Sequence, residues 1–224
     1  MRNFIYICVG FCAVFFFTSV AFAAMDPAAV AMQKRYAAMQ SMRVEFSQTL
    51  THKESGNVEK RAGVLLFAKP LNVVWETKSP IPELLVITPE AVWNAFPDED
   101  MAYKYPPNIS ESESIVRVIT GQSALDKDFF VESKKAEKGM TRLALYPKNP
   151  TQSMTEAELL VDAKTGLIHS AKIIDFYNNI NDLVFTAQDL DAKLPDSAFV
   201  FTPAKGMKVE DRTKSGTAPT PLTR

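Results

Sequence analysis

The chain has 224 residues, 46% of them hydrophobic, and 25 basic against 26 acidic side chains for a formal net charge of −1. That is enough apolar material for one domain with a core of its own. The even charge supplies neither the basic surface of a nucleic-acid binder nor a polybasic membrane anchor.

Arg2 gives a short positive start, Phe4 to Phe17 is an uncharged apolar run, and Ala21-Phe22-Ala23 is a small-x-small cleavage signal. Residues 1–23 therefore read as a secretory signal peptide cut before Ala24. The competing reading, an uncleaved anchor, meets a run short for a membrane span. Both cysteines, Cys8 and Cys12, lie in that segment. The exported chain is thus expected to be free of disulfides and thiolate chemistry. Phe11 just before Cys12 does not suit lipid attachment, so a soluble protein without a lipid anchor is expected.

Asp26-Pro27 starts a helix, an N-cap followed by Pro at the first helical position. Met32, Tyr36 and Met39 then share one apolar stripe. Arg43 to Leu50 alternates as a half-buried strand with Val44, Phe46, Gln48 and Leu50 on one face. His52–Asn57 is a turn into the strand Val58–Phe67, and Asn72–Thr77, Glu83–Thr88, Ala91–Phe96 and Met101–Tyr105 continue the series. Ser110 and Glu113 form a capping box, and Ile115, Val118 and Ile119 share a helical face that ends at Gly121. Leu125, Phe129 and Phe130 extend its apolar content. Strands resume at Phe130–Lys135, Arg142–Tyr146, Ala157–Val161, Leu167–Phe176 and Leu183–Ala187, and residues 213–224 read as a disordered tail.

The sum predicts a mainly β fold of about ten short antiparallel strands, a strongly curved sheet or incomplete barrel over residues 24–212. The two helices are the only candidates to cover its apolar concave face. Alternation sets Leu65 and Phe67 opposite Leu66, and either side is open as the concave one. Val73 and Trp75 share a face.

No catalytic constellation stands out. His52 and His169 are not spaced as a metal motif, and there is no phosphate loop or nucleophile elbow. Asp98, Glu99 and Asp100 read as solvated charge at a hairpin tip. The expectation is a binding protein without cofactor or metal rather than an enzyme.

One set of motifs is more specific. Phe46-x-Gln48, Gly63-x-Leu65, Lys69-Pro70 with Trp75 five residues on, Pro80, Val92-Trp93 with Pro97, and Phe199-x-Phe201-Thr202-Pro203 with Gly206 run in order. The set resembles the periplasmic outer-membrane lipoprotein carrier family of the LolA type. The resemblance implies an incomplete antiparallel barrel closed by a helical lid. It also implies a monomeric carrier that takes acylated lipoproteins from an inner-membrane ATP-driven transporter to an outer-membrane receptor. Family members usually have Arg where this chain has Lys69, a residue implied to latch the lid by hydrogen-bonding its backbone; Lys is a flexible point charge instead. After Trp93 the chain has Asn94-Ala95-Phe96 where members often carry Tyr. The acyl-cavity candidates are Phe46, Leu65, Phe67, Val73, Trp75 and Trp93 on the wall, and Met32, Tyr36, Ile115, Val118 and Ile119 on the lid. Each also reads as ordinary core. The rival readings are a related carrier of another lipid or apolar metabolite, a lipid-sensing module, and a hydrolase.

Overall fold

A computed structural model describes residues 25–107 and 114–214. The expected signal peptide, the Ser110–Glu113 capping box and all but the first two residues of the expected tail lie outside the described residues. One helix, α1 (Pro27–Ala38), leads into strands β1 (Ser41–Thr51), β2 (Val58–Ala68), β3 (Asn72–Ser79), β4 (Glu83–Ile87), β5 (Val92–Phe96) and β6 (Met101–Tyr105). Two short helices follow, α2 (Ser114–Ile119) and α3 (Leu125–Asp128). Then come β7 (Phe129–Lys135), β8 (Met140–Pro147), β9 (Glu156–Asp162), β10 (Ile168–Ile174), β11 (Ile180–Leu190) and β12 (Lys208–Asp211).

All twelve strands form one sheet in the order β12-β6-β5-β4-β3-β2-β1-β11-β10-β9-β8-β7. It is antiparallel throughout except for the parallel pair β12 and β6. With β12 and β7 left as edges, the sheet is a strongly curved, open barrel. About ten strands are predicted from sequence; β12 is the element that prediction lacks. Its four residues carry no alternation to announce them, and its partner lies some hundred positions upstream.

The curvature has a local cause. Register slips between Ala62 and Gly63 in β2 and between Glu45 and Phe46 in β1, and such bulges bend and twist a strand pair. Phe46 and Gly63 face each other across that bend. A Cβ on Gly63 would collide with the Glu76 carbonyl and the Phe46 ring, so the absent side chain lets the ring lie against the wall.

The sheet has an apolar layer on each side. The concave layer takes Met42, Val44 and Phe46 from β1, Leu65 and Phe67 from β2, Val73 and Trp75 from β3, and Leu143, Leu159 and Leu183 from the far half. The convex layer is smaller: Val74, Val86, Leu66, Leu84 and Trp93 lie under Leu194, Ala198, Phe199 and Phe201 of the strap before β12. Trp93 is therefore not a cavity residue. Alternation in β5 sends Val92 and Asn94 inward and Trp93 outward, where its ring meets Phe201 at 5.1 Å between centroids.

Candidate functional site

The concave face is built by period-two alternation from six consecutive strands. Register places Met42, Phe67, Val73, Ile87, Val92 and Tyr105 in one row, and Val44, Leu65, Trp75, Leu85 and Asn94 in the next. Phe46 packs its ring on Trp75 at 4.6 Å between centroids. Met32 and Tyr36 of α1 and Val116, Val118 and Ile119 of α2 belong to the same contiguous buried cluster as that wall. The helices thus fill the concavity with their own side chains.

Nine of the eleven sequence candidates meet here: Met32, Tyr36, Phe46, Leu65, Phe67, Val73, Trp75, Val118 and Ile119. The side chain of Ile115 lies outside the described residues. Trp93 sits on the opposite face. Sequence reasoning missed Val116 and the wall of β8 to β11, although the alternation in Arg142–Tyr146 and Ala157–Val161 carried the signal. Leu125 and Phe129 join the cluster, whereas Phe130 is exposed with Lys148 Nζ over its ring at 5.4 Å.

Helix α1 is tied down at four places along its length. At its start Asp26 accepts from the Ala28 N–H at 2.8 Å and from Ser133 Oγ of β7 at 2.9 Å. At its middle the β9–β10 turn comes so close that any Cβ on Gly166 would strike Ala31 and Met32 backbone. Gly166 also has φ +71°, a conformation glycine adopts without penalty. Asp162 holds that turn, accepting from the Thr165 and Lys164 N–H groups at 2.6 and 3.0 Å. Chiefly through Thr165, these bonds hold its carboxyl below the usual carboxylate range.

The third tie is buried. Tyr36 donates to Gln188 Oε1 at 3.2 Å and accepts from the Ile168 N–H at 3.1 Å, while Gln188 Nε2 donates to the Ile168 carbonyl at 2.7 Å. Burial is the main cause that pushes the Tyr36 hydroxyl up to about 12, against the pull of the Ile168 N–H and Arg35.

The end of α1 meets both the β2–β3 turn and the end of α2. Lys69 Nζ donates to the Ala37 carbonyl, one of the last-turn acceptors a helix leaves unpaired. The Lys69 N–H donates to the Gln40 carbonyl at 2.9 Å, and Gln122 Nε2 to the Pro70 carbonyl at 3.0 Å. Gly121, at φ +72°, lies against Tyr36 and Ala37 backbone so closely that a Cβ would overlap the Tyr36 carbonyl. The amine stands on helix backbone, as the family resemblance implies for the Arg in its place.

A second concavity, a surface pocket of about 300 Å³ between His52, Glu54, Ser55, Tyr177 and Asn179, lies at the hairpin ends far from the helices along the strands. Among the described residues, no helix is long and apolar enough to cross a membrane.

Comparison with known proteins bears on the covered wall. The family model described as "Outer membrane lipoprotein carrier protein LolA" matches residues 37–202. The chain is 25% identical over 171 residues to an outer-membrane lipoprotein carrier protein of Nitrosomonas europaea, covering 75% of this chain and 82% of that one. To the protein of the same description from Chromobacterium violaceum it is 26% identical over 184 residues, covering 81% and 86%. An uncharacterized conserved protein from Thermus thermophilus has a similar fold: TM-score 0.54 at 13% identity, over 83% of this chain and 97% of that one.

Proposed function

Because the chain belongs to the outer membrane lipoprotein carrier protein (LolA) family, we propose that it is a periplasmic carrier of acylated lipoproteins. Acyl chains enter the concave face and displace the helices that cover it. The observation that supports this most is the cover. A buried, mainly apolar wall on the concave side of a twelve-stranded sheet is covered by two helices that are not part of the sheet.

The energetics suit a ferry rather than a trap. Burying an acyl chain of about 14 carbons gains on the order of 10 kcal/mol, at roughly 0.8 kcal/mol per CH₂. Swinging Met32, Tyr36, Val116, Val118 and Ile119 off the wall costs about 10 kcal/mol, at roughly 2 kcal/mol per exposed side chain. The two nearly offset, so small biases decide between loaded and empty. Lys69 supplies one such bias, since its bond to Ala37 exists only while α1 is seated. In this reading an inner-membrane ATP-driven transporter loads the carrier, and an outer-membrane receptor that is itself a lipoprotein unloads it.

The test is direct. Purified protein lacking residues 1–23 is titrated with a fluorescent fatty-acyl probe. Saturable binding of one acylated passenger per chain is expected; no saturable binding removes the carrier reading.

A further inference from the structure

The concave wall is not uniformly apolar. Toward the end of the barrel far from the Lys69 turn it carries polar side chains on four successive strands, and a fifth, Asn94, lies nearer that turn. Gln48 of β1 stands opposite Arg61 of β2, and Thr77 of β3 opposite Glu83 of β4; the Arg61 guanidinium is already held by Glu59 at 2.7 Å and Glu83 at 3.5 Å. Asn94 of β5 stands opposite Leu85 in the row of Trp75. Gln48, Thr77 and Asn94 are 2%, 3% and 2% exposed. Gln48 Nε2 is satisfied by Asn181 Oδ1 at 2.9 Å. Asn94 is different: among the described residues its buried Oδ1 has no hydrogen-bond partner.

A buried, unpaired amide oxygen is a standing cost to the fold. Buried polar groups left in this state are where a missing partner is to be sought. Chemistry limits what that partner can be. An amide oxygen only accepts, so its partner must donate. An ionised carboxylate has no proton to give, and it would set one acceptor against another in a dry site.

We propose that the Asn94 amide oxygen forms a head-group subsite for an uncharged hydrogen-bond donor, an amide N–H or hydroxyl at the head of an acyl chain. The same subsite turns away the carboxylate of a free fatty acid. This deepens the carrier reading and rests on it: the wall supplies affinity for any chain, and Asn94 distinguishes a chain that is part of a larger acylated molecule from a free one.

Three probes of equal chain length test it, N-lauroylethanolamine, N,N-dimethyllauramide and laurate, titrated by calorimetry at about pH 8, where the laurate carboxylate is charged. The dimethyl amide is neutral but has no donor, so it separates donation from charge. The native protein is expected to bind the ethanolamide about ten-fold more tightly than either of the others, the scale of one buried hydrogen bond. Asn94→Leu removes the orphan oxygen without leaving a hole. It is expected to weaken the ethanolamide about ten-fold, leave the dimethyl amide unchanged, and raise the melting temperature of the empty protein. Equal binding of ethanolamide and dimethyl amide by the native protein, or a ratio unmoved by the substitution, overturns the subsite and leaves the carrier reading standing. Failure of all three probes to bind overturns the carrier reading and the subsite with it.

Discussion

Val73 and Val74 are neighbours in β3, and both are buried, at 1% and 6% exposure. They point to opposite sides of one sheet and meet two different kinds of cover. Val73 lies with Trp75 under helices that make no strand pairing. Val74 lies with Trp93 under a strap that runs straight into β12 and pairs with β6. That strap is secured further where Arg212 stacks on Tyr103 at 4.2 Å and donates to Glu210 at 2.7 Å. Both faces are buried and mainly apolar. In the proposed carrier reading, what separates the two faces is the removability of the cover, not the composition of the wall.

The largest expected effect breaks the comparison at those two residues. Val73→Glu places a charge on the concave wall, and loss of acyl-probe affinity by about a hundred-fold or more is expected by titration. Val74→Glu costs the convex layer about 3 kcal/mol in urea unfolding. The probe affinity of its folded fraction is expected to be unchanged. Equal loss of binding in both variants would mean that the two faces do not differ in function.

The next tests concern how firmly the removable cover is held. Tyr36→Phe leaves the Ile168 N–H and Gln188 without their shared partner, and a loss of about 2 kcal/mol is expected from urea unfolding at neutral pH. The tie is also pH-sensitive. Folded Tyr36 stays protonated to about pH 12, whereas the unfolded side chain ionises near 10.0. Its stabilisation is therefore complete below about pH 10 and fades as pH climbs towards 12. The stability gap between native protein and Tyr36→Phe is expected to close over that window. A constant gap would show that the hydroxyl is not buried beneath α1.

Lys69→Leu is expected to have the smallest effect. One partly exposed hydrogen bond biases the seated state by about 1 kcal/mol, so the variant should hold the probe about 5-fold longer in stopped-flow transfer to acceptor vesicles. Unchanged release would remove Lys69 from the cycle.

Much of this architecture is legible in the sequence because it is local. Asp26-Pro27 announces α1, and the spacing of Met32 and Tyr36 states which face is buried. Alternation in β1 and β3 puts Phe46, Val73 and Trp75 on the wall. What is not legible depends on partners far along the chain. Trp93 looks like wall material beside Val92, but the register of β5 turns it to the strap, and Phe201 lies more than a hundred residues away. The Asn94 side chain reads as a repacked hairpin until its neighbours are known to be Leu85 and Tyr103 rather than water. Gly121 and Gly166 look like ordinary turn glycines; their contact with α1 backbone appears only when the helix is laid across the barrel. The Tyr36–Gln188–Ile168 triangle likewise joins residues separated by most of the chain.

The two Trp residues allow the faces to be read separately, since the chain has no others. Trp93→Phe leaves Trp75 on the concave wall, and Trp75→Phe leaves Trp93 under the strap. A bromine-labelled N-acyl ethanolamide quenches a Trp only on contact, so titrating each variant locates the acyl chain. Saturable quenching of Trp75 at one acyl chain per protein, with Trp93 unaffected, is the expected result. Quenching of Trp93 alone, or of neither, would contradict an acyl passenger beneath the helices.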